Sequence, residues 1–241
     1  MLVGNWMTTD VITVREDTPM MKASIIMKEN KIRCLPVVNS KGKLVGILSD
    51  RDLKAASPSK ATALDVYELN YLISSINAES IMTKDLVFVK PDETVEFAAI
   101  LMLENKISSL PVINDMDSLI GIVTQTDIFK ALINITGAYA GGIQFAFSLE
   151  DRPGSIREVT DVIRASGGRI LSILSTREMA EEGRYHVYIR TISLPKDELA
   201  ELVRELEIRF VVLYAVQDLL EEAEGRRIRI AGQPALNHNW I

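Results

Sequence analysis

The sequence GILSDRD at residues 46–52 returns in altered form as GIVTQTD at residues 121–127. The same offset aligns further identities without a gap: Met7 with Met82, Asp10 with Asp85, and LPV at residues 35–37 with LPV at residues 110–112. Self-similarity at a fixed spacing is the signature of an internal duplication. The chain therefore contains two copies of one structural unit, at roughly residues 5–55 and 80–130.

Each copy has the pattern of a helix, two short strands and a second helix. Apolar residues follow the helical spacing i, i+3, i+4 from Ala23 in the first copy and from Ala98 in the second. Turn residues bound the predicted strands, at 35–38 and 44–48 in the first copy and at 110–113 and 119–123 in the second. The second helix is predicted to begin at Ser49 or Thr124.

A Met-Thr pair, a helix, Leu-Pro-Val and then Gly-Ile-x-(Ser/Thr)-x-x-Asp, each present twice, resemble the CBS-domain family. The resemblance implies one paired module at residues 1–134, with repeats at 1–60 and 78–134 joined by a helix at 61–77. It also implies that an adenosine ligand such as AMP, ADP, ATP or S-adenosylmethionine binds in a cleft between the copies. The adenine would lie against opening strands, at 8–14 and 83–89.

The end of each motif places a hydroxyl and a carboxylate three residues apart where a strand meets a helix. We name Ser49 to Asp52 the first box and Thr124 to Asp127 the second box. One interpretation is a capping box, in which the two side chains satisfy backbone N–H groups and no ligand is needed. The other is a nucleotide site, because a helix N-terminus favours phosphate and an ionised Asp accepts hydrogen bonds from ribose hydroxyls. The duplication within a CBS pattern favours at least one nucleotide site.

The two boxes differ in charge. Cations surround the first box, whereas the second has mainly neutral neighbours, among them Ser108 and Ser109. Since charge-assisted contacts to phosphate are about twice as strong as neutral ones, we expect the phosphate end of a ligand at the first box, although Asp50 opposes it. The candidate nucleotide-binding residues are Ser49, Arg51, Asp52, Lys54, Arg33, Thr124, Thr126, Asp127 and Lys130.

After Gly141 the pattern changes to β-α-β-β-α-β. Strands are predicted at 143–149, 170–176, 185–192 and 210–216, with helices at 155–165 and around 199–206. The loop DRPG at 151–154 joins the first strand to the first helix, with Asp151 as the expected N-cap. The predicted class is α/β (α+β), with a hinge at 135–141, this domain at 142–219 and a tail at 220–241.

The element order and the DRPG loop resemble the ACT-domain family, whose members have a ferredoxin-like fold and bind amino acids or dimerise. The resemblance implies a ligand site formed by Asp151, Arg152, Gly154 and Arg169. Amino-acid-binding members often carry an Asn where this chain has Arg169. We therefore favour a purely dimerising role over amino-acid binding.

Composition excludes several other functions. The net charge of −6 gives no surplus of cations for nucleic acid, and the few His residues, the single Cys34 and the lack of a P-loop or metal-ligand cluster argue against an enzyme. A lone cysteine and a start without a secretory signal predict a cytoplasmic protein. The uncharged run at 131–149 is long enough to span a membrane, but its glycines and alternating apolar residues predict a helix end, a hinge and a strand.

A CBS pair followed by an ACT domain resembles the acetoin-utilisation regulatory proteins. This implies a non-catalytic homodimer that senses an adenine nucleotide, uses no cofactor and controls acetoin or acetyl-coenzyme A metabolism through an unidentified enzyme partner. Two other functions stay open: a structural dimerisation protein with empty clefts, and an amino-acid-binding regulator that acts through the ACT domain.

Overall fold

A computed structural model of the chain describes residues 1–56 and 76–217 as a mixed α/β fold. The chain divides into two compact units, Met1–Ala131 and Leu132–Ile241. The predicted tail at 220–241, and the connecting helix predicted at 61–77 except for its last two residues, lie outside the described residues.

The first unit contains both copies except for the end of the last helix, and each copy has the predicted order of helix, two strands and helix. The first copy consists of β1 (Val14–Arg15), α1 (Met20–Glu29), β2 (Cys34–Val38), β3 (Leu44–Ser49) and α2 (Asp50–Ala56). The second consists of α3 (Ala78–Ile81), α4 (Val95–Glu104), β4 (Ser109–Ile113), β5 (Leu119–Thr124) and α5 (Gln125–Thr136). The antiparallel pairs β2–β3 and β4–β5 have the same register, so the duplication extends to the backbone pairing.

The segments that open the two copies differ from the prediction. Strands were expected at 8–14 and 83–89, but only the two-residue β1 forms, and it overlaps the first range at Val14 alone. The rest forms no regular strand and is held by isolated bridges, such as those from Thr8 to Ile122 and from Thr83 to Ile47. A single bridge to the other copy replaces the continuous ladder that a strand would need.

Each copy is completed by the segment that precedes the other copy. The Val3 N–H donates to the Glu93 carbonyl (2.8 Å), and the equivalent Ala78 N–H donates to the Thr18 carbonyl (2.9 Å). Val3 is fully buried in the apolar core of the second copy, and Ala78 in that of the first. Separating the copies would expose both cores, so the two repeats form one folding unit.

The glycine of each Gly-Ile pair allows this exchange. A Cβ atom on Gly46 would lie 2.3 Å from Sδ of Met82, and one on Gly121 would lie 2.5 Å from Sδ of Met7. Both distances are far below the normal contact of about 3.5–4.0 Å. The Met-Thr motif of one copy therefore packs directly on the Gly-Ile motif of the other.

The second unit has the predicted β-α-β-β-α-β order. It consists of β6 (Ile143–Glu150), α6 (Ser155–Ala165), β7 (Ile170–Thr176), β8 (Arg184–Thr191), α7 (Lys196–Arg209) and β9 (Val211–Gln217). The strands form one antiparallel sheet in the order β7-β8-β6-β9. A core centred on Phe145, Phe147, Ile163, Leu202 and Leu206 lies between this sheet and the two helices.

The uncharged run at 131–149 divides as predicted into a helix end, glycines and a strand. Helix α5 ends at Thr136, three glycines with positive φ follow, and β6 begins at Ile143. A Cβ atom on Gly142, whose φ is +102°, would lie 2.0 Å from the Thr191 carbonyl oxygen, so only glycine fits there. Among the described residues, no helix is both long enough and apolar enough to cross a bilayer.

The prediction that Asp151 caps α6 is wrong. The helix begins at Ser155, its N-cap is Gly154 in the left-handed conformation, and no side chain caps it. The Asp151 carboxylate instead accepts two hydrogen bonds from Arg177, at 2.7 and 2.9 Å. A capping side chain belongs to the residue directly before the helix and reaches its second or third backbone N–H, whereas Asp151 lies four residues before Ser155.

Candidate functional site

Both boxes form complete capping boxes. In the first, the backbone N–H and the hydroxyl of Ser49 both donate to Oδ2 of Asp52 at 2.7 Å, and the Asp52 N–H donates back to the hydroxyl at 3.3 Å. The second repeats these bonds between Thr124 and Asp127 at 2.9, 2.7 and 3.4 Å. The capping interpretation is therefore confirmed.

Capping does not use up the carboxylate. An ionised carboxylate has two oxygens and about four acceptor sites, and both hydrogen bonds that Asp52 accepts from Ser49 reach Oδ2. Asp52 is only partly buried and borders a cleft. Its side chain can thus cap α2 and accept hydrogen bonds from a ligand at the same time.

The cleft beside the first box is formed by both copies and has a volume of about 140 Å³. We call it the first cleft. The first copy contributes Arg33, Cys34, Ile47 and residues 49–52, and the second contributes Thr83, residues 85–87 and residues 106–109. The Thr83 and Ile47 backbones exchange two hydrogen bonds, at 2.9 and 3.0 Å, which hold the two sides together.

Three cations and three carboxylates line the first cleft: Arg33, Arg51 and Lys106, with Asp50, Asp52 and Asp85. Asp50 also accepts a hydrogen bond from Nζ of Lys54 at 2.8 Å. This bond, together with the charges of Lys54, Arg33 and Arg51, lowers the pKa of Asp50. Because Lys54 pairs with Asp50, the three cations of the first cleft face two other carboxylates, Asp52 and Asp85.

The structure brings together four of the predicted nucleotide-binding residues. Arg33, Ser49, Arg51 and Asp52 all line the first cleft. Lys54 does not, because it pairs with Asp50. The remaining four, Thr124, Thr126, Asp127 and Lys130, belong to β5 and α5 at the second box and do not line this cleft.

Three residues with charged or nucleophilic side chains line the first cleft but were not individual site candidates, although one of them, Asp85, lies in the segment 83–89 that was expected to contact the adenine. Asp85 follows Thr83, whose bridge to Ile47 brings the opening segment of the second copy to the first box, and Lys106 lies between α4 and β4 of that copy. Cys34 is half-buried, and desolvation raises the pKa of its thiol despite a hydrogen bond from Ser109, so the thiol is not activated as a nucleophile.

The backbone of Lys106 has an unusual conformation that the sequence does not predict. Its φ is +55°, in the left-handed region, and Lys31 has φ +54° at the equivalent position of the first copy. Both directly follow the C-cap asparagine of a helix, a position at which glycine is usual. A non-glycine residue in this conformation stores strain.

The second unit has a larger cleft, of about 440 Å³, beside the end of β6 and the start of α6. Arg152 lines it, but its guanidinium is already held by Glu150 at 2.9 Å and by both oxygens of Glu158 at 2.8 Å. These carboxylates raise the pKa of Arg152.

The other predicted ACT ligand residues do not line this cleft. Asp151 pairs with Arg177, and Gly154 forms the N-cap of α6. Arg169 precedes Ile170, which pairs with Thr191 at the opposite end of the sheet. The four candidates are therefore not brought together at one site.

Comparison with known proteins agrees with the duplication. The profile of the CBS domain family matches residues 3–59 and 78–134. An uncharacterised protein of Methanocaldococcus jannaschii is 36% identical over 146 residues, which cover 51% of this chain and 86% of that protein. The chain belongs to the CBS domain family.

Two solved structures are also similar over the CBS pair. The protein CBSX2, from Arabidopsis thaliana, crystallised in complex with AMP, is 33% identical over 56% of this chain and 97% of that chain, with a TM-score of 0.47. A putative acetoin utilization protein from Vibrio cholerae is 30% identical over 58% of this chain and 95% of that chain, with a TM-score of 0.48. The chain also matches longer proteins, such as the inosine-5'-monophosphate dehydrogenase of M. jannaschii, of which it spans 21%.

Proposed function

We propose that the CBS pair binds an adenosine phosphate in the first cleft and that the protein is a non-catalytic regulator. One observation carries the proposal: a carboxylate, Asp52, shares the cleft with the cations Arg33, Arg51 and Lys106. The carboxylate matches the donor hydroxyls of a ribose, and the guanidinium and ammonium groups match the acceptor oxygens of phosphate.

The size of the cleft indicates how the ligand lies. A volume of about 140 Å³ is well below the ~300–1,000 Å³ of pockets that enclose a whole small-molecule ligand. The cleft would therefore hold the nucleoside against Ile47, Leu86 and Val87, while the phosphates extend to the exposed side chains of Arg51 and Lys106.

A ligand in this cleft would contact both copies at once. It would therefore favour whichever arrangement of the copies fits it best, by its difference in affinity for the two arrangements. We assign the second unit to an ACT-type dimerisation role, which its β-α-β-β-α-β order and exposed edge strand β9 support. On the resemblance in domain order, the regulated step would lie in acetoin or acetyl-coenzyme A metabolism.

The main rival is a structural CBS protein with empty clefts. The complete capping boxes support it, since they need no ligand. Amino-acid binding by the second unit is less well supported, because Arg152 is engaged by two glutamates.

Calorimetry and thermal unfolding with AMP, ADP, ATP and S-adenosylmethionine separate these functions. A ligand at about 100 times its Kd stabilises the folded state by about 2.7 kcal/mol. We expect binding of at least one adenosine phosphate, reduced in Arg51→Thr but not in the control Arg157→Thr, which removes an exposed cation of the second unit. No heat and no change in melting temperature with any of the four ligands would favour the structural protein.

A further inference from the structure

We propose that Arg33 is shared by the first cleft and its counterpart at the second box, so that a phosphate bound in one cleft weakens phosphate binding in the other. The inference rests on the proposed function, and it concerns how the two sites influence each other.

The counterpart, which we call the second cleft, follows from the internal symmetry of the first unit. Thr83 and Ile47 exchange backbone hydrogen bonds at 2.9 and 3.0 Å, and Thr8 and Ile122 do so at 2.9 and 2.9 Å. The second box has the same hydrogen bonds as the first. The internal symmetry that relates the two copies therefore places an equivalent of the first cleft at the second box.

Under the same internal symmetry, position 33 of the first copy is equivalent to position 108 of the second. The Asp50 N–H donates to the Arg33 carbonyl at 3.0 Å, and the Gln125 N–H donates to the Ser108 carbonyl at 2.9 Å. Arg33 and Ser108 both line the first cleft, as do the next equivalent pair, Cys34 and Ser109. Positions 33 and 108 therefore border both clefts, but only Arg33 carries a charge.

The second cleft depends more on this arginine than the first. The equivalents of Arg51 and Lys106 there are Thr126 and Lys31. Lys130 does not compensate, since its equivalent is Ala55, which does not line the first cleft. When a phosphate in the first cleft holds Arg33, Lys31 is the remaining cation among the equivalent lining positions.

The test must separate sharing from the intrinsic difference between the boxes. The double substitution Asp50→Gln/Arg51→Thr gives the two middle positions of the first box the residues of the second, so that the boxes differ only at Ser49 and Thr124. In this background the charged lining residues match, because Asp127, Asp10 and Lys31 are the equivalents of Asp52, Asp85 and Lys106, and calorimetry of the full chain with AMP reports the coupling of the two clefts. We expect the second AMP to bind about tenfold or more weakly than the first, beyond the statistical ratio for two identical sites.

Adding Ser108→Arg supplies the missing second arginine, and the two steps should then approach the statistical ratio. Ser108 is exposed, and Ser108→Lys serves as a second variant if the arginine perturbs folding. Ser40→Arg, an exposed position outside the first cleft, is the matched control and should leave the coupling unchanged. Adenosine, which has no phosphate, should show no coupling in any variant.

The proposal that Arg33 is shared would be overturned if Asp50→Gln/Arg51→Thr bound two AMP molecules independently. It would also be overturned if the coupling persisted in both Ser108→Arg and Ser108→Lys. A single AMP site in every variant would also overturn it while leaving the proposed function intact. Failure of the native chain to bind AMP, ADP or ATP would instead refute the proposed function itself.

Discussion

The contact between Gly46 and Met82 predicts the effect of one added methyl group. In Gly46→Ala, the new Cβ would lie 2.3 Å from Sδ, 2.7 Å from Cγ and 3.1 Å from Cε of Met82. The Met82 side chain is flexible, but only 8% of the residue is exposed, so it can move away only by displacing the core of the first copy. Overpacking of this kind costs about 1–3 kcal/mol, and we expect Gly46→Ala to lower the free energy of unfolding by that amount.

The reason for the loss can be tested with a double-mutant cycle. Met82→Ala alone removes a buried side chain and should cost about 2–5 kcal/mol. In the combined variant the added methyl group occupies space that the methionine vacates. The loss of stability in the double variant should therefore be smaller than the sum of the two single losses by about 0.5–3 kcal/mol. Chemical denaturation followed by circular dichroism measures each value.

Gly121→Ala with Met7→Ala repeats the cycle in the other copy, where the Cβ would lie 2.5 Å from Sδ of Met7. Ser40→Ala, at an exposed turn position, is the control and should be neutral. Additive losses in both cycles would refute the reasoning, because they would show that the glycines are needed for some reason other than the methionine side chains.

Three further predictions concern the first cleft. Asp52→Asn should weaken AMP binding about tenfold, because the NH₂ group of the new amide faces the donor hydroxyls of the ribose. The melting temperature should change little, because the amide oxygen can still cap the helix. Unchanged AMP affinity in both Asp52→Asn and Asp127→Asn would show that the two carboxylates act only as helix caps. Lys106→Gly should raise the free energy of unfolding by about 1 kcal/mol, because glycine relieves the strain at φ +55°, and it should weaken AMP binding. Lys31→Gly should stabilise the protein equally but cause a smaller loss of AMP affinity at the first cleft. At neutral pH, Cys34 should react with a disulfide reagent more slowly than a free thiol does, and the rate should increase as the pH rises through its raised pKa. Saturating AMP should slow the reaction, because Cys34 lines the first cleft. Equal rates with and without bound AMP would show that the nucleotide binds elsewhere.

Much of the local structure could be predicted because it depends on short-range patterns. Capping boxes need only a hydroxyl and a carboxylate three residues apart, and both formed as the spacing indicates. The helix at 155–165 and the strand at 170–176 have the predicted bounds, because alternation and helical spacing specify the buried face of an element. Asp151 was misassigned because its partner, Arg177, is distant in sequence.

The sequence by itself determined the duplication, the order of elements in both units, and the membership of the CBS family that the repeated motifs carry. Only the tertiary structure decided that each box meets the opening segment of the other copy, and that Lys106 and Asp85 line the same cleft as Asp52. The physical reason is that the exchange is specified by long-range packing. Met82 fills the space above Gly46, and no local pattern in either segment records which glycine its methionine will contact.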